Sequence, residues 1–577
     1  MKRKDIVRGT IYTMLTSENK RKICAFSSVG ISLCASILMV VVVWFRAGIC
    51  FETNDDRYIS EILSGTYGGQ PEAHTVFVNY LLSLLLVFLY KATIRVSWYG
   101  YMLLALQILS YALMFNSVLY ICKRKIHILF GMGAVVALFL QNFYSAAKIQ
   151  FTSTAILLTV AGYIYLLLHQ DEKRRGVLVF AFSMLCACML RRDAMLMIQP
   201  LGIAAAAGLL LIDKKKNFRS KAVVFLNILG IIAGCIVLGE LGNAIGYHST
   251  EWKEYIRYNN ARAEIFDYYG KPDYEEIADI LAEYNVSRTE YEAYREYIIV
   301  GGNLNADCAE KIALYAQSKY EFPTFGELIA SYKNMMWDKY AWGVNKITVD
   351  VMFIALVLMV LYGQYRFLLP VALIKAGACA VWGYLLYRGR MPNRVILPLY
   401  VGETAMYLVI ILLVVVHTEK KKVWKGICAL VAGVVFFAMC FQTGRQQYRF
   451  LQPQNVGMKL YMQGMWEIND YCNRHPERKY LLDSFSVSYY SGNVSDNKFN
   501  GPHNNLVLGT WYSYSPVMQE TIKKYLADAD KGVYLIMYDF GNGETNPTIV
   551  YLQEKTNAEA VLVDEFYASH GGRYLIY

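Results

Sequence analysis

Residues 31–45 read ISLCASILMVVVVWF, a run without one charged side chain. With its flanks the run reaches about 20 residues, which is the length that a helix needs to cross a hydrocarbon core of about 30 Å. Similar runs occur at 351–361 (VMFIALVLMVL) and at 405–416 (AMYLVIILLVVV). Soluble helices interrupt such runs with a polar face. The sequence therefore predicts an integral membrane protein.

The composition of the whole chain agrees with this prediction. Its 577 residues are 56% hydrophobic and 18% charged, with a mean hydropathy of +0.28, whereas soluble proteins average about 25% charged residues. Apolar segments lie near 24–50, 74–94, 98–121, 126–146, 151–169, 176–190, 194–212, 222–245, 347–364, 368–387, 395–416 and 426–442. The predicted fold class is an all-α polytopic membrane protein of about 11–12 transmembrane helices, with an external helical loop domain and a C-terminal external α/β domain.

Four parts are predicted along the chain. Residues 1–245 form an N-terminal transmembrane module with a first external loop at 51–73, and residues 246–346 form a large external helical loop. Residues 347–443 supply the C-terminal transmembrane helices, and residues 444–577 an external α/β domain. The large loop carries helical patterns such as DYEEIADILAEY, whereas the last part adds short apolar, strand-like runs broken by Gly and Asn.

Basic residues indicate the orientation. They concentrate in connectors such as KRK at 123–125, DKKKNFRSK at 213–221 and EKKKVWK at 419–425. Cytoplasmic loops carry such an excess, so the N-terminus is predicted cytoplasmic and the C-terminal domain external, in a bacterial-type plasma membrane. Two apolar segments, 74–94 and 98–121, lie between the first external loop and KRK. If KRK is cytoplasmic, the chain makes only one net crossing of the membrane there. Either one of them is re-entrant or lies on the surface, or KRK faces outward.

Several function classes are excluded by this distribution. The net charge of +11 does not indicate a nucleic-acid partner, because the basic residues are not clustered on a soluble domain. The sequence has no Walker loop, dinucleotide fingerprint or HExxH zinc motif, so an ATP-driven pump is not expected.

The first external loop reads FETNDDRYISEILSGTYGGQPEAHTVF (51–77) and gathers charge at the membrane surface. A carboxylate there suits a general base, or helps to hold a cation, for chemistry at the outer leaflet. The alternative is a helix cap followed by a solvated loop. The candidates are Asp55 and Asp56 as catalytic residues and Glu52, Arg57, Tyr58 and His74 as binding residues.

Basic residues in later segments are candidates for binding an anion. Arg388, Arg390 and Arg394 lie in a connector predicted external, where the usual bias disfavours them. Guanidinium groups offer paired donors to phosphoryl oxygens, so the three favour a phosphate clamp, with contacts to anionic lipid headgroups as the alternative. Lys148, in another predicted external connector, assists the same phosphate or snorkels to the surface.

Two further charged groups stand out. Arg191, Arg192 and Asp193 interrupt an apolar stretch, which indicates either a functional cavity or an interhelical ion pair. Arg262 and Asp267 lie among aromatic residues at the start of the large loop, a combination that suits sugar binding and equally a packed surface helix.

The order of these features resembles the GT-C class of membrane glycosyltransferases. The class includes protein mannosyltransferases, the aminoarabinose lipid A transferase and bacterial polysaccharide-modifying glucosyltransferases. The likeness covers most of the chain in layout: one span, an acidic external loop, a run of spans, a large external loop and further spans. In motif it covers NDDR (54–57), the arginines of 388–394 and the external C-terminal domain.

The resemblance implies sugar transfer from a polyprenyl-phosphate donor to a cell-envelope glycan or lipid acceptor on the external face. It implies Asp55 or Asp56 as the catalytic base, and Arg390 and Arg394 as residues that hold the lipid phosphate. The chain lacks the Asp-Glu pair of protein mannosyltransferases, so the choice between the two aspartates stays open. Whether the carboxylates hold a divalent cation, Mg²⁺ or Mn²⁺, is open as well.

Two other functions fit the layout. One is an O-antigen-type polysaccharide polymerase or ligase, which would centre its charge in the large loop. The other is a non-enzymatic flippase for lipid-linked sugars, or an envelope scaffold. A transporter would place polar groups at mid-bilayer depth in several spans, whereas here the charges gather near the external surface, with Arg191–Asp193 as the exception.

Overall fold

The computed structural model describes residues 27–298, 302–337, 341–416, 423–487, 491–495, 504–527, 532–539 and 546–577. The basic N-terminal segment 1–26, predicted cytoplasmic, lies outside these residues, as does most of the basic connector at 419–425.

Long apolar helices dominate the chain. Among the described residues, nine helices are long and apolar enough to cross a membrane. They are α1 (Ser27–Ala47), α4 (Trp98–Ile121), α7 (Phe151–Leu168), α8 (Lys173–Ile212), α9 (Phe218–Gly246), α15 (Val344–Tyr362), α16 (Leu368–Arg388), α17 (Asn393–Val416) and α18 (Val423–Asn473). Two shorter apolar helices are α3 (Tyr80–Ala92) and α5 (Lys125–Gln141).

Helix α8 folds back on itself. Its backbone leaves the helical conformation at Arg191, with φ −161° and ψ 101°. Tyr163 of α7 contacts both arms, because its ring lies 5.0 Å from that of Phe180 and its hydroxyl donates to Gln199 Oε1 at 2.5 Å. The two arms therefore run side by side as two passes, as the apolar segments 176–190 and 194–212 predict.

Helix α3 lies at one end of the helix bundle. At its start, Asn79 Nδ2 donates to the Gly239 carbonyl at 2.7 Å. At its finish, the Tyr90 hydroxyl lies 3.1 Å from Ser60 Oγ in α2 (Asn54–Ser64) and accepts from the Tyr99 N–H at 3.2 Å. Both ends of α3 thus contact the same end of the bundle, which we name the α2 end. Of the alternatives that the sequence leaves open, this is the surface-lying helix.

Helix α4 crosses the bundle from that end to the other. Near its start the Tyr99 hydroxyl contacts Asp56 of α2, and near its finish Asn116 Nδ2 donates to Ser28 Oγ at the start of α1. Helix α5 returns to the α2 end. The nine long helices, with α8 counted twice and α5 added, give eleven passes among the described residues.

A helical unit follows α9. It consists of α10 (Thr250–Glu264), a π-helix (Ile265–Tyr269), a 3₁₀ turn (Tyr274–Glu276), α11 (Ala278–Glu283), α12 (Arg288–Arg295), α13 (Ala306–Lys319) and α14 (Phe325–Trp337). Its own core is aromatic and aliphatic, with Tyr258, Ile265, Leu281 and Tyr291 each at most 1% exposed. This unit has the helices that the pattern in 246–346 predicts.

The C-terminal part is an α/β unit. Its five strands are β3 (Lys479–Asp483), β4 (Asn505–Leu508), β5 (Val533–Tyr538), β6 (Asp564–Tyr567) and β7 (Arg573–Ile576), with helices α19 (Ser484–Val487), α20 (Pro516–Ala527) and α21 (Pro547–Thr556). The strand order is β4-β3-β5-β7-β6; β3 pairs parallel with β4 and β5, whereas β7 pairs antiparallel with β5 and β6.

The predicted fold class is confirmed: an all-helical polytopic membrane protein with a helical loop unit and a C-terminal α/β unit. Helix α18 runs from Val423 to Asn473, so the boundary placed at residue 443 falls inside it. The division into four domains stays a prediction.

Candidate active site

A pair of two-residue strands fixes the start of the first loop. Strand β1 (Cys50–Phe51) pairs parallel with β2 (Lys148–Ile149), which follows the short helix α6 (Phe143–Ala147). The Glu52 N–H continues the ladder by donating to the Ile149 carbonyl at 3.0 Å. Helix α2 then begins at Asn54 and ends at Ser64. Gly65 follows it, with a φ of +86°, the left-handed conformation that glycine adopts without strain. The acidic first turn of α2 is therefore held against the connector that carries Lys148.

The two neighbouring aspartates in that turn have different surroundings. Asp56 is 0% exposed, and its Oδ1 accepts from the Tyr99 hydroxyl at 2.8 Å and from the Phe151 N–H at 3.2 Å. Asp56 thus joins α2 to the starts of α4 and α7. Successive helical residues point about 100° apart, so Asp55 turns to a different side.

Asp55 faces a cluster of charges. Within the described part of the chain, its carboxylate accepts no hydrogen bond and forms no ion pair. The guanidinium groups of Arg394, Arg262 and Arg191 and the carboxylate of Asp267 act on it electrostatically. Burial raises the pKa of Asp55, and the three arginines oppose that rise. We name Asp55 with these three arginines the Asp55 cluster.

Three separate segments supply the arginines. Arg191 lies at the break in α8, with its guanidinium 5.1 Å from the ring of Phe77 and 5.7 Å from that of Phe151. Arg262 in α10 is 5% exposed. It donates to Asn259 Oδ1 from Nε at 3.1 Å and from Nη2 at 3.0 Å. Arg394 is in the first turn of α17. The cluster therefore forms only when the bundle and the helical unit come together.

The other two predicted arginines already have acidic partners. Arg388 Nη2 lies 3.3 Å from Glu264 Oε1, with its guanidinium 4.0 Å from the ring of Tyr268. Arg390 Nη1 lies 2.9 Å from Asp267 Oδ2. Both partners lie at the end of α10 or in the π-helix that follows it, an irregularity common at functional sites. These pairs tie the helical unit to the turn between α16 and α17.

Glu52 and Lys148 lie near Arg394 as well, since Arg394 and Lys148 both act on the Glu52 carboxylate. Burial raises the pKa of Glu52 to about 7, although Arg394 and Lys148 lower it. Lys148 is 4% exposed, and its Nζ donates to Cys50 Sγ at 3.0 Å. Both side chains line a cavity of about 450 Å³.

Three predicted binding residues, Arg57, Tyr58 and His74, are held by contacts within the protein, and their binding role stays a prediction. Arg57 donates from Nη1 to the Val487 carbonyl at 3.1 Å and pairs with Glu61 at 3.2 Å, which docks the α/β unit on α2. Tyr58 is 2% exposed. His74 Nδ1 lies 2.5 Å from Glu72 Oε1, and its ring stacks on Trp252 at 4.0 Å. The structure brings Asp55, Arg262, Asp267 and Arg394 together. Arg57, Tyr58 and His74 pack against other parts of the protein.

Sequence reasoning did not assign Arg191 to this cluster, although it marked the residue as a costly charge in an apolar stretch. It also missed Tyr297. Burial raises the pKa of the Tyr297 hydroxyl, and the charges of Arg262, Asp267, Asp55 and Arg390 act on it electrostatically. No sequence signal connects Tyr297 to residues so distant in the chain. Among the described residues, no three His, Cys, Asp or Glu side chains gather closely enough to hold a metal ion.

Comparisons with known proteins add little. No protein-family model matches the sequence, and no curated protein matches it significantly. Among solved structures, this chain is similar to the crystal structure of ArnT from Cupriavidus metallidurans bound to undecaprenyl phosphate. The TM-score is 0.39 and the identity 10%, over 95% of this chain and 97% of that one. A likeness at this level shows neither a family nor an activity.

Proposed function

We propose that this protein is a membrane glycosyltransferase of the GT-C type. It moves a sugar from a polyprenyl-phosphate donor to a glycan or lipid acceptor at the α2 end of the bundle. One observation carries the proposal: Asp55, a carboxylate without a hydrogen bond from the described residues, lies within electrostatic range of three guanidinium groups where the membrane helices end. The layout of spans and loops noted in the sequence supports it.

The Asp55 cluster contains the two kinds of group that this reaction needs. A carboxylate of raised pKa is a stronger base, which suits it to take a proton from the acceptor hydroxyl. The acceptor oxygen then bonds to the anomeric carbon as the bond between that carbon and the phosphate oxygen breaks. The bonding electrons leave with the polyprenyl phosphate, whose growing negative charge the arginines stabilise. A single displacement of this kind inverts the anomeric centre.

The ion pairs divide the arginines between two roles. Arg388 and Arg390 are neutralised by Glu264 and Asp267, so they position the helical unit. Within the described part of the chain, Arg191, Arg262 and Arg394 form no close ion pair with Asp55, and they hold the phosphate. Arg191 also pairs with the half-exposed Asp193, whose Oδ2 lies 3.5 Å from Arg191 Nη2. Paired guanidinium donors match phosphate oxygens better than ammonium groups do. This reading shifts the role of Arg390 from phosphate contact to positioning.

The position of the cluster explains the choice of a lipid-linked donor. The first turns of α2 and α17 and the break in α8 all lie where apolar helices end. A donor whose hydrocarbon tail stays in the bilayer presents its phosphate at this depth. With basic connectors at the other end, the α2 end is external in a bacterial-type plasma membrane.

Donor turnover by the protein in lipid nanodiscs tests the proposal. The donors are polyprenyl phosphates that carry radiolabelled sugars, with a membrane extract as the source of acceptor. We expect wild type to transfer label and Arg394→Ala to lose most transfer, because one cation facing the phosphate is gone. Arg257→Ala is the matched control, since Arg257 pairs with Asp307 and Glu310 on the surface of the helical unit.

Two results contradict the proposal. The first is that wild type consumes none of the donors. The second is that Arg394→Ala, folded to the same extent as wild type, transfers label at the wild-type rate. Donor that moves between leaflets without chemical change would instead favour the flippase.

A further inference from the structure

The cavity beside Glu52 has the features of a second ligand site. Its volume of about 450 Å³ falls within the range of about 300–1,000 Å³ that is usual for small-molecule pockets. It lies between the first turn of α2, the connector around Lys148 and the part of α18 near Tyr461. The side chains that matter most are Glu52, Asn54, Tyr144, Lys148, Gln454 and Tyr461.

Glu52 carries an unfilled acceptor. Its Oε2 atom is buried and has no hydrogen-bond partner among the residues that the structure describes. A buried carboxylate oxygen that lacks a donor costs free energy, on the order of 1–3 kcal/mol, and more if it is charged. Since Glu52 lines the cavity, a small rotation of its side chain would present this oxygen to a ligand that carries a hydroxyl or ammonium group.

The remaining lining selects among ligands. Lys148 in the cavity wall, together with Arg394 nearby, opposes a simple cation, and Glu52 opposes a phosphate. Hydroxyl groups satisfy both, because each donates to a carboxylate and accepts from an ammonium or amide. Tyr144 and Tyr461 also line the cavity, and aromatic side chains pack well against the C–H side of a sugar ring. The lining therefore matches a neutral polyhydroxylated ligand.

We infer that this cavity binds the carbohydrate part of the acceptor. The inference rests on the proposed function and extends it, since it names the acceptor as a glycan or glycolipid. Glu52 precedes Asp55 by three residues, and Arg394 acts electrostatically on both carboxylates. Arg394 is therefore near both the cavity and Asp55, so an acceptor sugar in the cavity has its reacting hydroxyl within reach of Asp55.

A glycine in the cavity wall allows a clean test. Gly457 lies on α18, and a Cβ atom built there meets only Tyr461 Cε2, at 4.0 Å. Gly457→Leu therefore fills the cavity without displacing the backbone. Gly426 is on the same helix near its start, with nothing within 4 Å of its Cβ position, so Gly426→Leu is the matched control.

The first measurement is photolabelling, which needs no activity. The probe is an octyl glucoside with a diazirine in its alkyl chain, and the labelled peptides are identified by mass spectrometry. We expect labelling of residues 454–461, competed by unlabelled octyl glucoside and reduced about tenfold by Gly457→Leu, equivalent to ~1.4 kcal/mol of binding. Gly426→Leu labels as wild type does, and the matched alkyl phosphocholine probe does not label this peptide preferentially.

The second measurement separates this inference from the proposed function. Donor cleavage by water and sugar transfer to acceptor are measured together, and Gly457→Leu is expected to lower the ratio of transfer to hydrolysis about tenfold. A wild type that labels at 454–461 but cleaves no donor keeps the sugar site and overturns the proposed function. A wild type that cleaves donor, with labelling and ratio unchanged in Gly457→Leu, overturns the inference and leaves the function standing.

Discussion

The charges around Asp55 predict how the pH dependence of donor cleavage changes when they are removed. Arg394 lowers the pKa of Asp55 and Asp267 raises it. Arg394→Gln removes the cation, and Asp267→Asn removes the anion and also releases Arg390, which lies 2.9 Å from Asp267. The two substitutions therefore act on the pKa of Asp55 in opposite directions.

The sign follows from the role of Asp55 as a base. Activity requires the deprotonated carboxylate, so it is lost as the pH falls through the pKa of Asp55. Arg394→Gln raises that pKa and moves the acid limb to higher pH, whereas Asp267→Asn moves it to lower pH. Because Arg394 is the strongest of the electrostatic influences on Asp55, Arg394→Gln should move the acid limb further than the loss of Arg262 or Arg191 does.

The assay is kcat/KM for donor cleavage across the pH range, plotted as its logarithm. The midpoint of the acid limb is read independently of how far each variant lowers the maximal rate. Arg257→Gln is the control, because it removes one positive charge from the exposed pair with Asp307 and Glu310. The reasoning is refuted if both midpoints move in the same direction, or if Arg257→Gln moves the midpoint as far as Arg394→Gln.

Other consequences follow from the same structure. Asp56→Ala leaves the Tyr99 hydroxyl and the Phe151 N–H without their acceptor. Each buried group that loses its partner costs about 1–3 kcal/mol, so the thermal unfolding midpoint in detergent should fall by several degrees. An unchanged midpoint would contradict the structural role of Asp56. Arg191→Met keeps the length of the side chain and removes its charge, so KM for the donor should rise about tenfold, while equal KM values would remove Arg191 from the phosphate site. In intact cells, Lys91→Cys and Glu251→Cys should react with a membrane-impermeant maleimide, and Lys123→Cys should not. The unsubstituted protein gives the background labelling. If Lys123→Cys alone reacts, the protein has the opposite orientation to the one proposed.

Most of the membrane helices follow from the length of the hydrophobic runs. The break in α8 at Arg191 is also visible in sequence, because three charged residues interrupt an apolar stretch there. Helix α3 is different. Its 13 residues are apolar enough to be buried in a bilayer and too short to decide between crossing and lying at the surface. Only the contacts of Asn79 and Tyr90 place both of its ends at the α2 end.

The site was less predictable than the fold. Asp55 and Asp56 are adjacent and chemically identical, and only the positions of Tyr99 and Phe151 distinguish them. The sequence identified the arginines of 388–394 but not which are neutralised, since Glu264 and Asp267 lie more than a hundred residues earlier in the chain. Such pairings depend on how the helical unit packs on the bundle. The roles proposed for these residues remain predictions.

The most direct test of the account is to measure donor affinity and turnover separately for Asp55→Asn in nanodiscs. Asparagine keeps the size of the side chain and cannot take the proton, so we expect kcat to fall by about 10²–10⁴-fold. Donor binding should be kept or tightened, because Arg191, Arg262 and Arg394 remain and the negative charge of Asp55 is gone. A folded Asp55→Asn protein that turns over donor at the wild-type rate would contradict the assignment of Asp55 as the base.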